Sequence, residues 1–178
     1  MFLIGTDEAG YGPNLGPLVI SMTIWEVPDA AAERDLYDLL GDVVVKMSSD
    51  VVASRIAIAD SKQLYKPGGG LASLERGVLS TLQTRGRACS TWREVWAALA
   101  PGSLSSLGKP PWYESFDRTL PMDAQKGEIH RLASALADVL ASAGITLRDM
   151  QSVALSPLFW NEQLDVHQNK ASVLANET

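Results

Sequence analysis

Two adjacent carboxylates, Asp7 and Glu8, close a short apolar run and stand directly before the loop Gly10-Tyr11-Gly12. Oxygen ligands of this kind suit hard divalent cations such as Mg²⁺ or Mn²⁺. Neighbouring side chains on an ideal strand point to opposite faces, so the pair converges only where the strand ends and the backbone turns. Gly10 and Gly12 supply such a turn, and their missing Cβ atoms let a sugar-phosphate backbone come close. Two carboxylates alone are too few for a two-ion centre. On spacing alone the plainer reading is a solvated polar strand end beside a tight hairpin turn.

Two further polar groups follow apolar or helical segments. Asp60-Ser61-Lys62 carries a lysine able to bind phosphate as a point charge, or is an ordinary turn with a solvated lysine. Asn169-Lys170, with Asn161, lies near the C-terminus, where Asn169 is also a natural helix cap. His130 falls about one position from the apolar stripe of its helix and His167 falls in a loop. Neither has a cysteine at zinc spacing, so a zinc site is rejected, and no P-loop or Gly-x-Ser-x-Gly pattern occurs. The five tryptophans are dispersed, which suits core and loop anchors better than a base-stacking platform.

The elements that must position these groups are readable in outline. Residues 2–8 and 17–26 read as strands, and the short Gly- and Pro-rich link at 9–16 makes them an antiparallel pair. A helix is expected over 30–40, started by Pro28-Asp29 and stopped by Gly41. Residues 51–59 are apolar and lead into Asp60, and residues 66–70 break the chain before a helix at 71–84. Trp92 and Trp96 are at helical spacing within 91–100, whereas 101–111 reads as loop, with Trp112-Tyr113 at its end. The clearest helix is 124–143, with Ile129, Leu132, Ala133, Leu136, Leu140 and Ala143 in helical register, Asp123 as cap and Gly144 as stop. A strand at 151–156 and a helix opening at 170–177 complete the pattern.

The chain of 178 residues is long enough for one domain with a sizeable core, and one domain over 1–178 is expected. Hydrophobic content of 46% with 20% charged residues excludes a disordered chain. No basic leader precedes the first apolar stretch, and no apolar run spans a bilayer. Cys89 is the lone cysteine, which excludes an internal disulfide and suits a reducing, cytoplasmic setting. The net charge of −6 argues against nonspecific coating of nucleic acid, but leaves room for a cleft that meets phosphates through cations and a few lysines.

Together the motifs resemble the type 2 ribonucleases H, the ribonuclease HII and HIII family. Gly5-Thr6-Asp7-Glu8-Ala9-Gly10-Tyr11-Gly12, then Gly16-Pro17-Leu18-Val19, is similar to that family's N-terminal signature. Asp60-Ser61-Lys62-Gln63-Leu64 is similar to its second motif, and Asn169-Lys170-Ala171 to the segment entering a helix ahead of a third catalytic aspartate. Residues 87–121 have no counterpart in the resemblance.

The resemblance implies an α/β ribonuclease H-like fold, with a mixed sheet that starts from an antiparallel strand pair and is flanked by helices. It implies two-metal-ion hydrolysis of RNA in RNA–DNA hybrids or ribonucleotide-containing duplexes, with Mg²⁺ or Mn²⁺ as cofactor. Asp7 would ligate both ions and Glu8 one of them. The amides of Gly10, Tyr11 and Gly12 would approach the ribose 2′-hydroxyl, which separates RNA from DNA. Ser61, Lys62, Asn169 and Lys170 would line the substrate.

One branch of the family has arginine where this chain has Tyr11, and the other carries an uncharged residue there. The chain stops within an apparent helix, so residues 1–178 are expected to be the front portion of a longer protein, with third and fourth carboxylates beyond Thr178. Such a truncated sheet would expose an apolar edge and self-associate through it. Two rival readings stand beside the nuclease: a non-hydrolytic nucleic-acid-binding module, and a structural or interaction domain.

Overall fold

The computed structural model describes residues 1–10, 16–31, 33–46, 54–65, 67–107 and 110–177. The fold is α/β. β1 (Phe2–Ala9), β2 (Leu18–Glu26) and β5 (Thr146–Leu155) form a three-stranded antiparallel sheet in the order β1-β2-β5. β3 (Val44–Val45) and β4 (Ile56–Ala57) make a separate parallel pair, so the mixed sheet expected from sequence is two sheets among the described residues. The chain divides into two compact units, one of residues 1–3, 25–95 and 117–147, the other of 4–24, 96–116 and 148–178.

In the first unit, α3 (Ala72–Thr84) packs along α7 (Lys126–Ala143). The stripe read from sequence is the buried one: Ile129, Leu132, Ala133, Leu136 and Leu140 are all under 7% exposed, so this face builds the core. Leu132, Leu136 and Leu140 meet Val27, Val44, Ile56 and Ile145 there. Gly144 ends α7 in the left-handed conformation at φ 66°, as its place in the sequence suggests.

Asp123 does not cap α7, because the helix starts only at Lys126, with Gln125 at the cap position, and the Asp123 carboxylate is turned to another amide. Glu75 of α3, only 8% exposed, turns its carboxylate to the backbone N–H groups of Met122, Asp123 and Ala124. Asp123 instead accepts from the Leu71 amide ahead of α3. Each helix start is thus held by a carboxylate from the other segment.

Three more expectations are corrected here. The helix expected over 30–40 is a single 3₁₀ turn, Asp29–Ala31, followed by α1 (Leu36–Leu40). Asp35 delays the start by capping: its carboxylate accepts from the Tyr37 amide at 2.9 Å. Residues 101–111, expected as loop, hold a 3₁₀ turn at Pro101–Ser103, then α5 (Leu104–Leu107), and α6 (Pro111–Glu114) begins at their end. Finally, β5 begins five residues before the expected strand, and α8 (Pro157–His167) follows it, placing His167 at a helix end rather than in a loop.

α4 (Trp92–Leu99) has a reciprocal cap. The Glu94 carboxylate accepts from the Ser90 and Thr91 amides, and Thr91 Oγ1 accepts from the Glu94 amide. The Ser90 amide, with its hydroxyl and the Thr91 amide, holds the Glu94 carboxyl below its ordinary range. A lowered folded-state value means that the cap stabilises above the unfolded carboxyl's titration and is lost as pH falls through the folded value. Acidification below the usual glutamate range should therefore fray α4 in the wild type. In Glu94→Gln the signal of Trp92 should lose that acid step, and an identical acid profile in the two proteins would contradict it.

The second unit buries Leu18 and Ile20 of β2 and Leu155 of β5 against Trp160 of α8 and Val173 of α9 (Lys170–Glu177). Trp160 is 1% exposed, consistent with a core role for at least this tryptophan. Ser156 caps α8 by accepting from the Phe159 amide, with Pro157 at the first helical position. Two amides of β5 are met by side chains: Ala154 N–H donates to Ser103 Oγ at 3.0 Å, and Met150 N–H to Asp149 Oδ1 at 2.8 Å. On β1, by contrast, Phe2 and Ile4 are 60% and 64% exposed. No helix among the described residues is long and apolar enough to cross a membrane.

Candidate functional site

The β1–β2 hairpin sets the site. A Cβ on Gly5 would lie 3.5 Å from Thr23 Oγ1, and one on Gly10 would lie against Pro17 and Leu18. At the far end of the same hairpin, Met1 and Val27 exchange both backbone hydrogen bonds. All three contacts fit one antiparallel register without a bulge, which sets Asp7 opposite Ser21 and Glu8 opposite Ile20.

β1 stays regular through Ala9, one residue past the expected end. Asp7 and Glu8 are therefore consecutive strand positions and alternate between the sheet's faces. Ile20 belongs to the face that α8 and α9 cover, so Glu8 is on the helix side. Asp7 lies on the other face, in the row of Ser21. Both acidic residues are exposed, and neither forms an ion pair with a described residue.

Gly10 turns the chain at φ 83°, and a Cβ there would meet the Pro17 carbonyl oxygen at 2.7 Å. Both the dihedral and the contact exclude a side chain. Gly10→Ala should cost about 1–3 kcal/mol from the backbone conformation alone, read as a lower urea midpoint at unchanged slope. An unaltered midpoint would show that the turn can rearrange. Tyr11 and Gly12, the other two loop residues of the motif, lie outside the described residues.

The remaining predicted residues fall in both units. Asn169 and Lys170 share the unit of Asp7, Glu8 and Gly10, whereas Ser61 and Lys62 belong to the other. Asn169 does cap its helix, its Oδ1 accepting from the Ala171 amide at 2.8 Å; Lys170 is the first residue of α9 and is exposed. Ser61 and Lys62 open the short helix α2 (Ser61–Leu64), exposed, with the Asp60 carboxylate accepting from the Lys62 amide at 2.8 Å.

Ser21 and Ser152 did not stand out in the sequence. Their hydroxyl oxygens are 2.9 Å apart and part-buried, and they share a hydrogen bond across β2 and β5. Ser21 interrupts an apolar strand but Ser152 follows Gln151 in a mixed one, and only the fold pairs them.

The donor chemistry at Asp7 fits a hard cation. It offers one exposed carboxylate, and Mg²⁺ is commonly held by one or two carboxylates with water and substrate phosphate. Glu8 is adjacent in sequence but starts from the other face. Among the described residues no group of three or more His, Cys, Asp and Glu gathers as a metal centre. No family model matches this chain, and neither the curated proteins nor the solved structures yield a match.

Proposed function

We propose that this protein is a divalent-cation-dependent endonuclease of the ribonuclease H type, acting on RNA in RNA–DNA hybrids or ribonucleotide-containing duplexes. One observation carries the reading: an exposed Asp7-Glu8 pair on β1 runs straight into a turn whose Gly10 admits no side chain. Asp7 would hold the Mg²⁺ or Mn²⁺ ion, whereas Glu8 starts from the other face of the sheet and would not share that ion while β1 stays regular. The two-ion form of the reaction needs further carboxylates besides these two. When bound, such ions neutralise the phosphate's charge and lower the pKa of an attacking water.

The chain's own groups orient the substrate. The Gly10 turn brings backbone close to the ribose, where an amide can read the 2′-hydroxyl that DNA lacks. Lys170, in the same unit as Asp7, supplies a point charge for phosphate, with Asn169 beside it in sequence.

The test is incubation of the intact protein with labelled RNA–DNA hybrid, single-stranded RNA and duplex DNA, in Mg²⁺, Mn²⁺ or chelator. Cleavage confined to the hybrid and dependent on cation is expected. Failure to cut any of them in either cation would contradict the proposal. The alternation of Asp7 and Glu8 between sheet faces favours a second reading, a non-hydrolytic nucleic-acid-binding module. Hybrid binding unaffected by chelator, without turnover, is its signature.

A further inference from the structure

We propose that the cleft bordered by α3 and α7 binds a small organic carboxylate, Lys126 and His130 holding the anionic head and an apolar floor the body. The cleft has a volume of about 300 Å³, the size of a small-molecule site. All its lining residues belong to the first compact unit, whereas Asp7 belongs to the second. The inference therefore stands without the nuclease reading.

Packing of the two helices makes the floor, where Leu79 of α3 and Ile129 of α7 are both buried. The remaining wall comes from two segments, Cys89-Ser90 and Leu120-Pro121. They are tied together where the Leu120 amide donates to the Ser90 carbonyl at 2.8 Å. Both lie in the stretch 87–121 that has no counterpart in the ribonuclease H resemblance, and the cleft gives that stretch a use.

Charge selects the head. The protein has 21 acidic residues and a net charge of −6, yet no Asp or Glu is among the described residues lining the cleft. Glu94 and Arg87 both act on the Cys89 thiol, and the Glu94 carboxylate is already engaged by Ser90 and Thr91 donors. Lys126 is exposed and pairs with no described residue, so its ammonium is available. Gln83 Nε2 lies 2.6 Å from His130 Nδ1, and an amide nitrogen only donates. Nδ1 is therefore the acceptor, the ring proton is on Nε2, and Nε2–H is left as a second donor. A carboxylate only accepts, through two oxygens, and charge-assisted bonds favour it over its uncharged analogues. The floor in turn favours a carbon body over a bare anion, because burying apolar area adds affinity.

Benzoate is the probe, with benzyl alcohol as a similar body without charge and inorganic phosphate as an anion without a body. Calorimetry and saturation-transfer NMR on the intact protein read the binding. Benzoate should bind, and the other two more weakly by about tenfold or more. Lys126→Gln should weaken benzoate by about tenfold with unchanged circular dichroism, and Lys126→Arg should keep most of the affinity. Cys89, the lone cysteine, reports the place: benzoate should slow its alkylation by N-ethylmaleimide in the wild type, and less so in Lys126→Gln. No benzoate binding, equal binding of benzyl alcohol, or unchanged affinity in Lys126→Gln would each overturn the proposal. Alkylation of Cys89 at an unaltered rate with benzoate bound would overturn it too. Cleavage of a hybrid would be untouched by any of these results.

Discussion

Glu75→Ala should destabilise the protein by about 3–5 kcal/mol, because its carboxylate is the shared acceptor for three amides. A buried donor left without a partner costs about 1–3 kcal/mol, and hydrogen bonds to a charged acceptor are the stronger kind. The three losses are not additive, since the loop at 122–124 relaxes and water enters once the side chain is gone. Glu75→Gln keeps one acceptor but turns an amino group toward a donor amide, so it should also destabilise, by less. Urea unfolding measures both. A loss under about 1 kcal/mol for Glu75→Ala would place it with ordinary surface changes and show that the loop holds without its carboxylate.

Asp7→Asn is expected to have the larger consequence for activity and little for stability. Its side chain is exposed on β1 and pairs with no described residue, so the neutral isostere should fold normally. A cation positioned on a reacting phosphoryl oxygen contributes several kcal/mol to the transition state. With about 1.4 kcal/mol per factor of ten, losing it should slow cleavage by about 10³-fold or more.

Local signals carried much of the frame. The hairpin was legible because Gly and Pro separate two apolar runs, and α7 because its apolar positions keep the helical period over 18 residues. The cap role of Asn169 was legible too, since a cap is a property of three adjacent residues. α8 was not, although Ser156-Pro157 is a sound start signal, because its apolar residues form no single stripe. Asp35 shifted α1 by the same short-range capping chemistry, competing with Pro28-Asp29 further upstream.

What stayed hidden depended on residues far apart in the chain. Asp123 has the local marks of a cap for α7, yet the helix starts only at Lys126 and the Asp123 carboxylate accepts from the Leu71 amide, 52 residues away. Asp7 and Glu8 were visible as candidates, but their assignment to opposite faces required β1 to continue through Ala9. The Ser21–Ser152 pair spans 131 positions and exists only in the sheet's register. The candidate site was therefore readable as a set of residue types, while its division between two faces was a matter of tertiary structure.

The central claim, that Asp7 is the carboxylate on which hydrolysis depends, is tested most directly by one comparison. Cleavage of an RNA–DNA hybrid by the intact wild type and by Asp7→Asn is followed side by side at saturating Mg²⁺ or Mn²⁺. The account predicts cation-dependent cleavage by the wild type and a rate lower by about 10³-fold or more in the variant. Equal rates in the two proteins would contradict it.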